Sequence, residues 1–445
     1  MPLMSRPLFI PALLLTAFAP ASLAAPYKPA IYDEAKVVNH PLPDPLTFND
    51  GTPVRDVAGW RGKRRAELLE LFSREVYGRT NSGRPKDMRF EITSVERNAL
   101  DGKATRKEVT VHFTAAADGP KMSLLIYQPN RPAAASTAAG SNASAQKWPV
   151  FLGLNYFGNQ CVNADPGITL SPRWMRTNVE FGVVDHRATA RTRGVHASRW
   201  DIETVVARGY ATATIYYGEI GADNNEGLQD PVGAMLRSGS AMGRRPDGWG
   251  LIGLWAWGLS RALDYIETDP ELDGKRVAVH GHSRLGKTAL WAGAQDERFA
   301  MVISNNSGCG GAALSKRVYG ETPAIINANY LPWFAHNFKK YDDNEIALPV
   351  DQHELLALIA PRPLYVASAS EDRGADPKGE FLALVHAEPV YKLHGKGGLG
   401  TTEFPPKDKS IGDTIAYHVR TGKHDITPYD WAHYLDFADR HLKAR

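Results

Sequence analysis

The sequence has few cysteines and no recognisable metal-binding motif. Cys161 and Cys309 are the only cysteines among 445 residues, so neither a disulfide-rich scaffold nor a four-cysteine zinc site can form. No His-Glu-x-x-His or comparable ligand spacing occurs. We therefore expect an activity that needs no metal and no other cofactor. If the chain is exported, the two cysteines could form one disulfide; two buried thiols are the alternative, and both remain open.

The sequence also lacks an excess of either charge. It has 52 Lys and Arg residues against 49 Asp and Glu, which gives a net charge of +3, and the two signs are interspersed. A nucleic-acid-binding protein would carry a basic patch or stripe. We therefore expect no nucleic-acid partner, although a weakly positive chain is compatible with an anionic substrate.

Long apolar runs are missing beyond the N-terminus, so we expect no association with a membrane. Met1–Arg6 is short and positively charged, Leu8–Phe18 is mostly apolar, and small residues flank the position after Ala24. This pattern predicts a secretory signal peptide over residues 1–24 and a secreted or periplasmic mature protein. A membrane anchor is the alternative, but the apolar run is shorter than the about 20 residues of a spanning helix.

The first third of the mature chain predicts a mixture of extended, helical and antiparallel elements. Residues 25 to 50 are rich in proline and predict an extended segment, and helical spacing follows over residues 61–77. Residues 88–128 alternate as antiparallel strands do. Residues 131–147 are rich in Ala, Ser, Gly and Asn, which predicts a loop between strands and not a boundary between domains.

Strands and helices alternate along the rest of the chain. The helical spacing of Ile252, Trp255, Leu259 and Leu263 predicts an amphipathic helix whose apolar face packs on the core. Alternation of this kind predicts an α/β fold with a mostly parallel sheet, in which function gathers at the carboxyl ends of the strands. The apolar runs that we interpret as strands are Pro149–Tyr156, Ala211–Tyr217, Arg276–His280, Ala300–Ser304, Pro363–Ser368 and the less apolar Ile415–Val419.

Ser283 lies where one of these strands meets a helix, in the context of a nucleophile elbow. Gly281 precedes it by two residues, as the sharp turn requires, but Leu285 replaces the usual second glycine and Gly286 follows one residue late. We interpret Ser283 as a catalytic nucleophile. The alternative is a serine that only caps the helix.

A nucleophilic serine needs a base, and imidazole can take and return the serine proton. Among the fourteen histidines, His424 is best placed, because it comes just after the carboxyl end of the last strand. His433 is the second candidate, but its spacing suggests a helix. His282 is adjacent to the serine and should point elsewhere, and His418 lies within a strand.

Several motifs resemble those of the glucuronoyl esterases, carbohydrate esterase family fifteen, in their bacterial form. Gly281–Lys287 resembles the Gly-x-Ser-Arg-x-Gly-Lys signature of that family, and Trp255–Tyr265, Ala294–Ala300, Asp376–Glu380 and Thr421–His424 resemble its other segments. The resemblance implies an α/β-hydrolase fold, a three-layer sandwich around a mostly parallel sheet. We expect one such domain over residues 25–445, with an N-terminal extension.

The resemblance also implies catalytic roles. His424 matches the base of the family, and Arg284 matches an arginine that helps to hold the oxyanion. Asn306 stands where fungal members carry a glutamate, and Asp372 matches the acid that many bacterial members place after the next strand. We therefore expect Asp372 to orient His424, with Glu371 as its neighbouring competitor and Asp376 as a weaker one.

Substrate contacts follow from the same resemblance. Lys287 and Glu321 match residues that contact hydroxyls of the glucuronate, and Asn329 is a further candidate near the sugar. The chain departs from the family at Gly374, where members often carry a tryptophan two residues after the acid. That departure puts the tightness of the sugar contact in question.

The implied reaction is hydrolysis, through an acyl-enzyme, of the ester between (4-O-methyl-)glucuronic acid of glucuronoxylan and lignin alcohols. We expect a monomer. Two alternatives remain: another carbohydrate esterase, such as an acetyl esterase, and a sugar-binding relative that has lost activity.

Overall fold

The computed structural model describes residues 27–38, 40–79, 83–131, 147–237, 245–330 and 332–443. The predicted signal peptide and most of the predicted loop over residues 131–147 lie outside these ranges, and both stay predictions. No helix within the described ranges is long and apolar enough to cross a membrane.

Within the described residues, ten strands form one sheet and two short strands pair separately. The order across the large sheet is β1-β2-β3-β7-β4-β8-β9-β10-β12-β11. The strands are β1 (Arg89–Ala99), β2 (Ala104–His112), β3 (Lys121–Pro129), β4 (Trp148–Asn155), β5 (Val183–Val184), β6 (Arg187–Ala188), β7 (Ala211–Tyr216), β8 (Leu272–His282), β9 (Met301–Asn305), β10 (Leu364–Ala369), β11 (Ile411–Gly412) and β12 (Ile415–Arg420).

The middle of the large sheet is parallel and its two margins are antiparallel. β7, β4, β8, β9, β10 and β12 all run in the same direction. β1, β2 and β3 form an antiparallel meander that joins β7, and β11 pairs antiparallel with β12 at the other margin. The parallel strands correspond to the six predicted runs, because a strand covered on both faces is apolar throughout.

Helices cover both faces of the sheet. They are α1 (Val57–Gly59), α2 (Arg65–Phe72), α3 (Ala197–Trp200), α4 (Ile202–Ala207), α5 (Pro231–Arg237), α6 (Leu251–Ile266), α7 (Arg284–Gln295), α8 (Pro323–Asn329), α9 (Gln352–Ala357), α10 (Pro377–Leu393) and α11 (Pro428–His441). π-Helical turns over Trp60–Arg64 and Ser73–Tyr77 extend α1 and α2 into a nearly continuous helix, as predicted for residues 61–77.

Alternate residues of the central strands supply two separate cores. Val277 and Val279 of β8 belong to the core that α6 and α7 complete, whereas Ala278 belongs to the core that α11 completes. This alternation follows from the pleat of a strand, which points successive side chains to opposite faces. The result is a helix–sheet–helix sandwich, the three-layer α/β-hydrolase arrangement.

Helix α6 is more buried than its predicted stripe implies. All its residues except Ser260 are buried, because neighbouring segments cover the side that faces away from the sheet. Trp255, for example, donates its indole N–H to the carbonyl of Gly221 at 2.8 Å. Cys161 and Cys309 are both buried as free thiols, so of the two alternatives for the cysteines, the structure has no disulfide between them.

A buried carboxylate joins β9, β12 and the start of α11. Asp430 accepts hydrogen bonds from His418 Nε2 at 2.9 Å, Arg420 Nε at 2.8 Å and Asn305 Nδ2 at 3.2 Å. It also completes the capping box of α11 with Thr427. Burial would raise the pKa of Asp430, but the bond from His418 and the nearby charges outweigh burial and lower it below 3.8.

We predict that Asp430→Ala lowers the free energy of unfolding by about 3–5 kcal/mol, because it leaves the buried Arg420 cation without its carboxylate. Asp436→Asn is the control on the same helix; it removes an exposed ion pair with Arg208 and should cost less than about 1 kcal/mol. Chemical denaturation measures both. The loss in free energy of unfolding caused by Asp430→Ala should be largest above pH 3.8. It should shrink as the pH falls through the lowered pKa of Asp430 in the folded protein. Equal effects of the two substitutions would contradict this account.

Candidate active site

The candidate catalytic residues follow the carboxyl ends of four neighbouring strands of the sheet. Ser283 follows β8 directly and Asn306 follows β9 directly. Asp372 lies three residues after the end of β10, and His424 lies four residues after the end of β12. Because parallel strands present their carboxyl ends at one edge, these four residues lie at the same edge of the sheet although they are far apart in the sequence.

Ser283 sits in a strained turn that requires glycine close by. Its backbone has φ 58° and ψ −128°, a region that residues with a side chain rarely adopt. A Cβ on Gly281 would lie 2.0 Å from the carbonyl oxygen of Leu285, so only glycine fits there. Gly286 packs closely on the loop after β9: a Cβ there would lie 3.1 Å from Cβ of Ser307. The late second glycine therefore serves close packing of α7.

The alternative interpretation of Ser283, as a helix cap, is wrong. Ser283 does occupy the position before the first residue of α7, but its side chain makes no capping hydrogen bond. Its backbone N–H donates instead to the carbonyl of Asn305 at 2.9 Å, which ties the turn to the neighbouring strand. The hydroxyl is thus not used for capping.

His424 and Asp372 form the hydrogen bond that a catalytic base and acid require. His424 Nδ1 lies 2.6 Å from Asp372 Oδ2, and Asn306 Nδ2 donates to the same oxygen at 2.7 Å. Burial would raise the pKa of Asp372, but the His424 hydrogen bond and charge outweigh it and lower this pKa below 3.8. Asp372 is therefore an ionised partner that leaves Nε2 of His424 as the free ring nitrogen.

The loop that carries His424 is held by an arginine that sequence reasoning missed. Arg420, the last residue of β12, donates to the carbonyls of Lys423 at 2.9 Å and Asp425 at 2.5 Å. Its own position is set by Asp430, as described above. The available signal was a charged residue at the end of an otherwise apolar strand, which marks a buried charge pair.

The other candidate histidines are engaged elsewhere. His282 Nδ1 bonds to Asn305 Oδ1 at 2.7 Å, and its ring centroid lies 4.3 Å from that of His424. His418 is buried between the hydroxyl of Tyr365 and Asp430. His433 lies on α11, where its ring packs against His418.

Among the described residues, neither of the competing acids forms a hydrogen bond with His424. Asp376 pairs with Arg317 at 2.9 Å and caps α10 through the N–H of Gly379. Glu371 is exposed, and its backbone N–H donates to the carbonyl of Gly422. The structure thus brings His424 together with Asp372, the first choice from sequence.

Arg284, directly after the serine, lies in an aromatic enclosure with one anionic partner. Its guanidinium carbon is 4.7 Å from the ring centroid of Trp333 and 5.7 Å from those of Tyr156 and Tyr330. It forms an ion pair with Asp223 Oδ2, and Asp223 Oδ1 accepts the Trp333 indole N–H at 2.7 Å. Burial would lower the pKa of Arg284, but Asp223 outweighs it and the pKa is raised.

Asp223 and Trp333 were not foreseen, because each is remote in sequence from the elbow and neither carries a local motif. Tyr156 belongs to the stretch after β4, and its hydroxyl donates to the carbonyl of His282 at 2.6 Å. It therefore holds the backbone immediately before Ser283. The position of Gly153–Gly158 after an early strand predicts from sequence that this stretch lines the same pocket.

Lys287 and Glu321 lie together, as expected from the resemblance. Lys287 is buried one turn after Ser283; its Nζ donates to the carbonyl of Ser307 at 2.5 Å and lies 3.9 Å from Glu321 Oε2. About a third of the Glu321 side chain is exposed, so its carboxylate can still contact a ligand. The backbone N–H of Glu321 donates to the carbonyl of Gly374 at 2.9 Å.

Asn329 and Gly374 complete the predicted set. Asn329 ends α8, is exposed, and its amide lies 3.5 Å from the hydroxyl of Tyr27. In the part of the chain that the structure describes, it forms no hydrogen bond with Glu321. Gly374 faces open space, since a Cβ there would meet no heavy atom within 4 Å. Within the described ranges, no group of three or more His, Cys, Asp or Glu residues could hold a metal ion.

Comparisons with known proteins show what the chain is similar to. A family model described as glucuronyl esterase of fungi matches residues 206–395. The carbohydrate esterase MZ0003, from an unknown prokaryotic organism, is 47% identical over 92% of both chains. Among solved structures, a promiscuous CE15 esterase from a marine bacterial metagenome has a TM-score of 0.85 at 46% identity, covering 93% of this chain and 100% of that one.

A second solved structure supports the same assignment. The glucuronoyl esterase from Solibacter usitatus has a TM-score of 0.84 at 45% identity, and the alignment covers 92% of this chain and 100% of that one. The chain therefore belongs to the glucuronoyl esterase family, carbohydrate esterase family fifteen, and is a carboxylic ester hydrolase.

Proposed function

We propose that this protein hydrolyses the ester between (4-O-methyl-)glucuronic acid of glucuronoxylan and lignin alcohols, through an acyl-enzyme on Ser283. The observation that carries the proposal is the 2.6 Å bond between His424 and Asp372 at the edge where Ser283 turns out of β8. Relatives support the choice of ester: one 26% identical protein from Phanerochaete carnosa is named 4-O-methyl-glucuronoyl methylesterase.

The proton transfers follow from which nitrogen of His424 is occupied. Nδ1 faces Asp372, so Nε2 accepts the proton of the Ser283 hydroxyl as its oxygen attacks the ester carbonyl. The imidazolium that forms is stabilised by the ionised Asp372 and then protonates the departing alcohol. In the second half of the reaction, His424 takes a proton from water as the water oxygen attacks the acyl-enzyme. The Ser283 oxygen then leaves, regains a proton from His424, and the uronic acid is released.

The negative charge that develops on the carbonyl oxygen needs preorganised donors. In the proposed mechanism, the backbone N–H of Arg284 provides one donor and its guanidinium provides a cationic one, because charge-assisted hydrogen bonds are stronger than neutral ones. Asp223 and Trp333 hold that guanidinium beside the elbow. Lys287 and Glu321 then contact the sugar hydroxyls, with the ammonium donating and the carboxylate accepting.

Other carbohydrate esters are a second candidate substrate class, and a specific observation favours keeping it. The open space at Gly374 leaves the sugar side less enclosed than a tryptophan would. The 46% identical relative is described as a promiscuous esterase. Comparing turnover of benzyl glucuronate with that of acetylated xylan separates the two classes, and faster turnover of the acetate would favour the second.

We also propose where the enzyme acts and in what form. A signal peptide over residues 1–24 would export the enzyme, secreted or periplasmic, to where plant polymers are encountered. Residues 25–445 would then act as one catalytic domain, and we propose that it works as a monomer.

We predict that Ser283→Ala and Asp372→Asn each lower kcat on benzyl glucuronate by about 10⁴-fold or more. The first removes the nucleophile, and the second removes the charge that sets the tautomer of His424. Glu371→Gln is the matched control, since it neutralises the adjacent exposed acid and should retain activity. Undiminished activity of Ser283→Ala would refute the mechanism, and an inactive wild type would favour a sugar-binding relative.

We predict that Asn306→Asp moves the acidic limb of the kcat/KM profile up by about one pH unit or more. A second carboxyl would then share the site of Asp372, and two like charges raise one of the two pKa values. The added negative charge also favours the protonated imidazolium of His424, which cannot act as a base, so activity is lost at a higher pH than in the wild type. Asn306→Gly removes the 2.7 Å hydrogen bond without adding charge, so its acidic limb should stay closer to wild type; identical profiles for both variants would count against this.

We predict that Glu321→Gln raises KM for benzyl glucuronate about tenfold, because a charged acceptor for sugar hydroxyls becomes a neutral one. Hydrolysis of p-nitrophenyl acetate, which has no sugar, should change little. Glu203→Gln, at an exposed position on α4, is the control. A parallel loss on both esters would show that Glu321 acts on the catalytic residues and not on the sugar.

A further inference from the structure

The N-terminal segment, residues 27–36, lies across two loops of the candidate active site. The carbonyl of Ile31 accepts the N–H of Gly320 at 2.9 Å. The carbonyl of Tyr32 accepts the hydroxyl of Tyr319 at 3.3 Å and also the guanidinium of Arg373. One of these loops carries Glu321 and the other carries Asp372, so the segment borders the site on its sugar side.

Tyr32 presents an aromatic ring at this border. Tyr32 is 44% exposed. The Arg373 guanidinium lies 5.2 Å from the ring centroid, and the Tyr319 ring meets it edge-on at 6.0 Å and 82°. The ring is therefore fixed in orientation while much of its surface stays open to a ligand.

Gly374 links this border to the two residues that contact the sugar in the proposed mechanism. Gly374 follows Arg373 and faces open space, and its carbonyl accepts the N–H of Glu321. Glu321 in turn lies 3.9 Å from Lys287. A series of contacts thus leads from Lys287 through Glu321 and Gly374 to Arg373 and Tyr32.

We infer that Tyr32 and Arg373 form a subsite for the xylan residue that carries the glucuronate; this inference rests on the proposed function. An aromatic ring offers an apolar face for the C–H groups of a pyranose, and a guanidinium offers several N–H donors for its hydroxyl oxygens. Such a pairing of apolar surface and oriented donors is what a sugar site needs.

The position of the subsite indicates that it contacts the xylan chain and not the leaving alcohol. The ester carbonyl must lie at Ser283 and Arg284, and the uronate ring extends from there toward Lys287 and Glu321. Tyr32 lies beyond Glu321, on the side of the polysaccharide. The alcohol departs from the carbonyl itself and does not pass this surface.

The test compares two benzyl esters, benzyl glucuronate and the same ester with its uronate linked to xylotriose. Tyr32→Ala should lower kcat/KM on the xylotriose-linked ester about tenfold, mainly through KM, while the value for benzyl glucuronate stays within about twofold. Tyr32→Phe retains the ring and should behave as wild type. Because Tyr32 bonds to Tyr319 and Arg373 through its main-chain carbonyl, both variants keep those contacts.

Val38→Ala is the matched control, an exposed apolar residue just after the same segment, and should leave both esters unchanged. The subsite is overturned if Tyr32→Ala matches wild type on both esters, a result that leaves the proposed function intact. It is also overturned if both esters lose activity equally, since Tyr32 would then act only by supporting the acid loop. A wild type that does not hydrolyse benzyl glucuronate refutes the proposed function itself, and the xylan subsite with it.

Discussion

The strained turn at Ser283 is the constraint on which the rest of the site depends. A positive φ at a residue with a side chain costs about 1–3 kcal/mol, so it persists only where surrounding contacts leave no alternative. Here Gly281 lets the turn close against the Leu285 carbonyl, and the carbonyl of Asn305 holds the Ser283 N–H. Because β8 is central in the sheet, the strands beside it end at the same edge, and their order places Asp372 between Ser283 and His424.

Two carboxylates near the base have different functions because their surroundings differ. Asp430 is fully buried and bonded on both oxygens, so it can only hold β12 and α11 and, through Arg420, the backbone on both sides of His424. Asp372 is partly exposed and directs one oxygen at His424 Nδ1. A rigid, charged support beside a more accessible carboxylate fixes the orientation of the imidazole.

Sequence patterns predicted the features that depend on local order. Apolar runs located the parallel strands, and the motif around Ser283 located the elbow together with Lys287 one turn later. They could not reveal contacts between remote segments, such as Arg284 with Asp223 or Tyr32 with Arg373, since no periodicity connects such positions. The stripe on α6 likewise indicated one buried face, whereas segments far away in the sequence cover the helix on nearly all sides.

Asn306 has a consequence for how such a site can change over time. Its amide already reaches the oxygen of Asp372 that faces His424, so side chains from two adjacent strand ends converge on a single point. A carboxylate arising at either position could orient the imidazole without any movement of the backbone. In the proposed mechanism, relocation of the acid between strands therefore needs only single-residue replacements, and a protein with both carboxylates would work over a narrower pH range.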